Sequence, residues 1–159
     1  TKKCNLDICK YSLSVKHKAK ILFTQIVNSK DYYVLLGRRI SSNESFWWIP
    51  GGSVEPGENE FEVGLRELDE ELVLLSPYID ALQLFSSSLR QPEKIQYRSL
   101  KAFNTIFIVL LREQTFDLPG IKDEFEEMAW FNIDQLPENM SREFEYIRDE
   151  FIKTIKKIV

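Results

Sequence analysis

The chain predicts an α/β fold of the α+β kind, a mixed β-sheet sandwiched between helices, in one domain over 1–159. Three observations carry this expectation. Runs of β-branched, aromatic and apolar residues recur between turn residues. Two stretches repeat apolar residues at helical spacing. The strand-like and helix-like stretches do not alternate regularly, as a parallel doubly wound sheet would require. At 159 residues the chain can bury one core, and no internal linker, repeat or low-complexity stretch divides it.

Residues 19–27 and 32–36 read as two strands of a hairpin, with 28–31 as its turn. Gly37, Arg38 and Arg39 follow, then a polar loop over 41–45 and a short apolar strand over 46–49 that stops at Pro50-Gly51-Gly52. A helix is expected over 59–74. Asn59 can cap it, Glu60 and Glu62 suit the positive end of its dipole, and Phe61, Leu65, Leu68 and Leu72 form one apolar stripe. Residues 79–89 and 103–111 read as strands, separated by a polar loop holding Arg90, Lys94, Arg98 and Lys101. Residues 128–133 read as a further strand. The stretch 141–159 reads as an amphipathic helix, with Phe144, Ile147, Phe151 and Ile155 inward and Lys153, Lys156 and Lys157 in its last turns.

With 43% apolar and 29% charged residues, the composition is that of an ordinary globular protein, and no apolar run approaches the roughly 20 residues of a bilayer span. The formal net charge of -4 argues against nucleic acid as a partner, because such proteins usually carry a basic face. It is compatible with a small phosphate-bearing substrate if a divalent cation stands between two sets of negative charge. Cys4 and Cys9 are expected to be reduced, and no second pair completes a zinc set. Residues 1–10 lack the apolar stretch of a signal peptide, so a cytoplasmic location is the default expectation.

The chemistry concentrates after the glycine turn. On a helix of about 100° per residue, Glu67, Glu70 and Glu71 fall within a roughly 100° arc, away from Leu65, Leu68 and Leu72. Carboxylates so close repel one another, and a hard cation such as Mg²⁺ offsets that while keeping water and phosphate among its ligands. Taken alone, such a cluster more often means a solvated acidic face.

The longer pattern shifts the balance. Gly52, then Glu58, then Arg66-Glu67-Leu68-Asp69-Glu70-Glu71, with Pro50-Gly51 in front, resembles the signature box of the Nudix hydrolases. A chance match of those spaced positions anywhere in the chain is on the order of 10⁻⁵. Arg38-Arg39 after a strand, Trp48 before the glycines and Trp130-Phe131 before Leu136-Pro137 also resemble recurrent family features. The chain departs from the family at Val73, where a glycine is usual. The helix is therefore expected to run on toward Ser76 and to stop before Pro77. Gly64 weakens the helix but lets a neighbouring backbone come close.

The resemblance implies Glu67, Glu70 and Glu71 as ligands of Mg²⁺, or of Mn²⁺ in its place, with the Gly51 carbonyl as a further ligand. It implies Glu67 or Glu70 as the base that deprotonates water, and Arg66 as the group that orients the carboxylates, through Glu58. Arg39 resembles a position that contacts substrate phosphates. A further carboxylate is expected from Glu124, Glu126 or Glu127. Phe46, Trp47 and Trp48 offer rings on which a base could stack. Trp48 is carried as a substrate contact against the commoner use of such a ring in the core. His17 is expected at the surface.

The implied activity is Mg²⁺-dependent hydrolysis of a phosphoanhydride in a nucleoside diphosphate joined to another group, with a nucleotide or other diphosphate as the small-molecule partner. Two alternatives share the fold. A non-catalytic nucleotide-sensing module has no evident need for all three glutamates. A diphosphate isomerase would need further acid and base groups, such as a cysteine in the cleft. Hydrolysis of an RNA end is weakened by the acidic balance. An exposed edge strand would support a homodimer.

Overall fold

Along Lys16–Val27 the side chains alternate between two covers, with Ala19, Ile21 and Phe23 in one cluster and Leu22 in the other. That double burial marks a central strand. The computed structural model describes residues 16–41, 44–88, 93–99, 101–122 and 124–158. Its elements are β1 (Lys16–Val27), β2 (Asp31–Ser41), β3 (Glu44–Trp48), β4 (Gly51–Val54), α1 (Glu60–Glu71), β5 (Leu72–Val73), α2 (Ser76–Ser87), β6 (Lys94–Arg98), β7 (Ala102–Leu110), β8 (Gly120–Ile121), β9 (Glu127–Asn132) and α3 (Glu143–Lys156). Cys4, Cys9 and Arg90 lie outside the described residues.

The main sheet has seven strands, in the order β3-β2-β1-β7-β6, with β4 added beside β1 and β9 beside β2. Among the described strands only β1 and β7 pair in parallel, so the sheet is mixed. The helices α1 and α2 cover one face through Val63, Leu68, Tyr78 and Leu82. The other face is covered by α3 through Phe144, Ile147, Phe151 and Ile155. This is the sandwich expected from the sequence. At the first residue of α3, the Glu143 carboxylate accepts from Tyr97 Oη at 2.6 Å and Trp48 Nε1 at 3.2 Å, which fixes that helix end to the sheet.

Several local expectations are corrected. Residues 79–89 were expected as a strand, but α2 spans Ser76–Ser87, with Pro77 in its first turn. Tyr78, Ala81 and Leu82 are its buried residues, a helical spacing that the apolar run around them obscured. The first helix does not run on to Ser76. It ends at Glu71, and Val73 sits instead in β5, opposite Gly120 of β8. Extended geometry spares Val73 the left-handed conformation in which a glycine would end the helix. Lys94–Arg98 is a strand, not a loop. Its buried Ile95 and Tyr97 alternate with exposed Lys94 and Arg98. His17 is only 3% exposed, because β1 is flanked there by both β4 and β7, and it faces Glu60 at 3.3 Å.

Candidate active site

The site forms where the first hairpin forks. Strands β1 and β2 pair from Thr24↔Val34 to Val27↔Asp31, where Asn28 and Ser29 adopt the positive φ of a tight hairpin turn. Beyond that point β1 turns to β4 through Lys20↔Gly51 and β2 turns to β3 through Gly37↔Trp48. Gly51 and Gly52 lie inside the fork. A Cβ on Gly51 would strike the Ala19 carbonyl, and one on Gly52 would strike the Glu67 side chain. The expected glycine turn is corrected, since Gly51 and Gly52 open strand β4, and the missing side chain at Gly52 is a steric requirement for seating Glu67.

The acidic residues of α1 are aimed by what holds the helix. Asn59 accepts from the Glu62 amide at 3.1 Å, and Leu68 is buried against the sheet. Gly64 lets the helix approach β1, since Ile21 stands 3.0 Å from where a Cβ would be. These anchors rotate Glu71 inward to 3% exposure, leave Glu67 half-buried and keep Glu70 exposed.

Glu71 is the electrostatic centre. Burial pushes its pKa from the usual carboxylate value of 4.5 up to about 8; the neighbouring charges of Glu124 and Glu67 act the same way, and Arg39 opposes them. Burial, with Glu70 next, also raises the pKa of Glu67. Arg39 Nη2 lies 3.5 Å from Glu71 Oε1 and also bonds Glu124, while its guanidinium rests 4.7 Å above the Phe125 ring. The expected partnership of Arg66 with Glu58 is present at 3.1 Å. The Glu58 carboxylate also accepts from the Glu55 amide at 2.8 Å, and these two bonds lower its pKa.

Of the residues singled out in the sequence, the structure brings Gly51, Gly52, Glu67, Glu71 and Arg39 to this fork, and carries Glu70 and Arg66 on the outer side of α1. Of the three downstream glutamates, Glu124 shares Arg39 with Glu71, whereas Glu126 and Glu127 pair with Arg38 at 3.6 and 3.4 Å. Trp48 does not join the cluster. It is 5% exposed and packed against Phe144 and Phe151, which corrects its expected role as a stacking surface. Lys122 and Phe125 were not anticipated. Phe125 is buried at 4%, and Lys122 bonds the end of α1 through its amide and its ammonium. No periodicity in that loop announces either one.

The donor set suits a hard divalent cation. It consists of carboxylate oxygens, and Glu71 Oε2 is buried with no hydrogen-bond partner among the described residues. Among the described residues, no group of three or more acidic, histidine or cysteine side chains already converges on one point. Arg39 stands among the carboxylates and would have to yield its hold on Glu71 to admit a cation. No helix among the described residues is long and apolar enough to cross a membrane.

A family profile described as NUDIX domain matches residues 17–154. An RNA pyrophosphohydrolase of Pelagibacter ubique is 29% identical over 118 residues, covering 70% of this chain and 75% of the relative. The asymmetrical bis(5'-nucleosyl)-tetraphosphatase of Rattus norvegicus is 26% identical over 115 residues, covering 72% and 73%. The fold matches that of RenU, a Nudix hydrolase of M. smegmatis, with a TM-score of 0.66 at 16% identity, over 90% of this chain and 87% of that one.

Proposed function

The chain belongs to the Nudix family of hydrolases acting on phosphoanhydride bonds, and on that premise we propose that it uses a divalent cation, Mg²⁺ or Mn²⁺, to cleave a nucleoside diphosphate joined to a further group. The observation that carries this reading is the buried Glu71, held beside Glu67 and Glu124 with one carboxylate oxygen unpartnered. Burying such charge costs several kcal/mol unless it is compensated.

We assign Glu67, Glu70 and Glu71, with the Gly51 carbonyl, to holding the cation, and Glu124 to completing the set. When bound, the cation would polarise the diphosphate and offset its negative charge. Glu67, whose side chain is seated against Gly52, takes the proton of the attacking water, and Glu70 is the second candidate for that step. Arg66, braced by Glu58, orients the outer carboxylates. Arg39 meets the substrate phosphates with a planar fork of donors, exchanging carboxylate oxygens for phosphate oxygens of like charge.

Two of the proteins named above, an RNA pyrophosphohydrolase and a bis(5'-nucleosyl)-tetraphosphatase, carry names that point to phosphoanhydride substrates attached to a further group. The test is a chromatographic screen for hydrolysis products with Mg²⁺ over dinucleoside polyphosphates, ADP-ribose, nucleotide sugars, dinucleotide cofactors, nucleoside triphosphates and 5'-triphosphate RNA. Turnover of at least one class, lost in Glu70→Gln/Glu71→Gln, supports the reading. Full activity in that double variant refutes it.

A further inference from the structure

Glu124 is 56% exposed in its side chain, on the segment between β8 and β9. An exposed glutamate pays side-chain entropy to stand in one place, and a ligand set tolerates only a fraction of an ångström of play. What holds it lies on both sides in sequence. Before it, the Lys122 amide donates to the Glu71 carbonyl at 2.9 Å and its ammonium donates to the Asp69 carbonyl. These carbonyls belong to the last turn of α1, where a helix supplies no amide of its own to bond them, and α1 has no basic residue in its own last turn. One residue therefore caps the helix and ties the segment to the end that carries Glu70 and Glu71.

After Glu124, the Phe125 ring is buried over Gly37, and the Glu126 amide donates to the Arg38 carbonyl at 2.9 Å. A Cβ on Gly37 would meet Phe125 Cδ1 and, at 2.8 Å, Met128 Sδ. The same Phe125 ring supports Arg39, which bonds Glu124 in turn. Gly37 thus leaves the space that lets Phe125 sink, and the depth of Phe125 sets where Glu124 and Arg39 stand.

We propose that Lys122, Phe125 and Gly37 are positioning residues that place Glu124 beside Glu71, so that divalent-cation affinity depends on contacts made outside the carboxylate set. This rests on the cation site proposed above. None of the three touches substrate or cation; each acts through Glu124.

The experiment is a Mn²⁺ titration of the intact protein without substrate, read by the loss of the free-ion paramagnetic resonance signal, with melting in chelator measured alongside. Lys122→Met and Gly37→Ala should each weaken Mn²⁺ binding by roughly tenfold, the usual scale for losing a residue that orients a ligand. Lys122→Met in a Glu124→Gln background should add nothing further. Gly37→Ala combined with Phe125→Leu, which returns the lost space, should bind more tightly than Gly37→Ala alone.

Unchanged affinity in Lys122→Met, or an equal loss with and without Glu124, overturns the proposal while leaving the cation site standing. Should Gly37→Ala fail to fold, the Lys122 and Glu124 cycle decides alone. A Glu70→Gln/Glu71→Gln variant that binds Mn²⁺ as the parent does would overturn the cation site itself and this proposal with it.

Discussion

Replacing Glu71 with glutamine should stabilise the protein in chelator while sharply reducing its stabilisation by Mg²⁺. Glu71 is 3% exposed, and its pKa rises from 4.5 to about 8 on folding. A carboxyl raised in this way contributes stability that is complete below pH 4.5 and is lost as pH climbs through about 8, because only the unfolded chain ionises freely across that window. At pH 7 the cost relative to a side chain that does not ionise is at most about 3 kcal/mol. Water reaches the cleft at exposed Glu124, and Arg39 stands 3.5 Å away, so about half of that, roughly 1–2 kcal/mol, is the expected gain. For a domain of this size it amounts to about 3–6 °C in Tm. Melting curves of both proteins from about pH 4.5 to about pH 8.5 should coincide at the acid end and separate as pH rises, with the glutamine variant the more stable. Added Mg²⁺ should raise the parent by RT ln(1 + [L]/Kd) and the variant by much less. A variant that melts below the parent at pH 7, or a difference that does not change with pH, would refute the claim that Glu71 is strained by burial.

Three further outcomes follow from the geometry. Gly52→Ala places a Cβ on the Glu67 side chain and should cost about 100-fold in kcat, the scale of an ångström misplacement; this is checked by steady-state kinetics on the substrate the screen identifies. Arg66→Met removes the 3.1 Å bond to Glu58 and should lower kcat roughly tenfold with no measurable change in Tm, since the pair lies in water. Phe144→Ala empties a site at 0% exposure between Trp48 and Phe151 and should destabilise by about 3–5 kcal/mol, seen as a lower denaturant midpoint, with Mn²⁺ affinity unchanged at temperatures where the fold persists.

What could be read before the fold was known was mostly short-range. The helix that carries Glu67, Glu70 and Glu71 announces itself by Asn59 and its apolar stripe, and the end of β3 by the Pro50-Gly51-Gly52 that follows it. The mixed sheet between helices was legible because strand-like and helix-like stretches occur together without regular alternation. Residues 79–89 read as a strand because periodicity alone does not separate a short apolar run in a strand from one in a buried helix, and packing on the sheet makes Ser76–Ser87 a helix. His17 and Trp48 were misplaced for a related reason, since burial belongs to strand neighbours and to α3, which lie far off in sequence.

By itself the sequence determined the family, the mixed sheet between helices and the residues of the acidic helix, because each follows from spacing within a few turns of chain. Only the tertiary structure decided that Glu71 is the buried member and that Glu124, among three candidate glutamates, faces it. It also placed Arg39 between the two and gave Gly37, Lys122 and Phe125 their bearing on that arrangement. The bond between Arg39 and Glu124 alone joins segments 85 residues apart. Those relations exist because β2 leaves β1 at the fork and pairs with β9, which carries the Glu124 segment across to the end of α1, and no local pattern records that pairing.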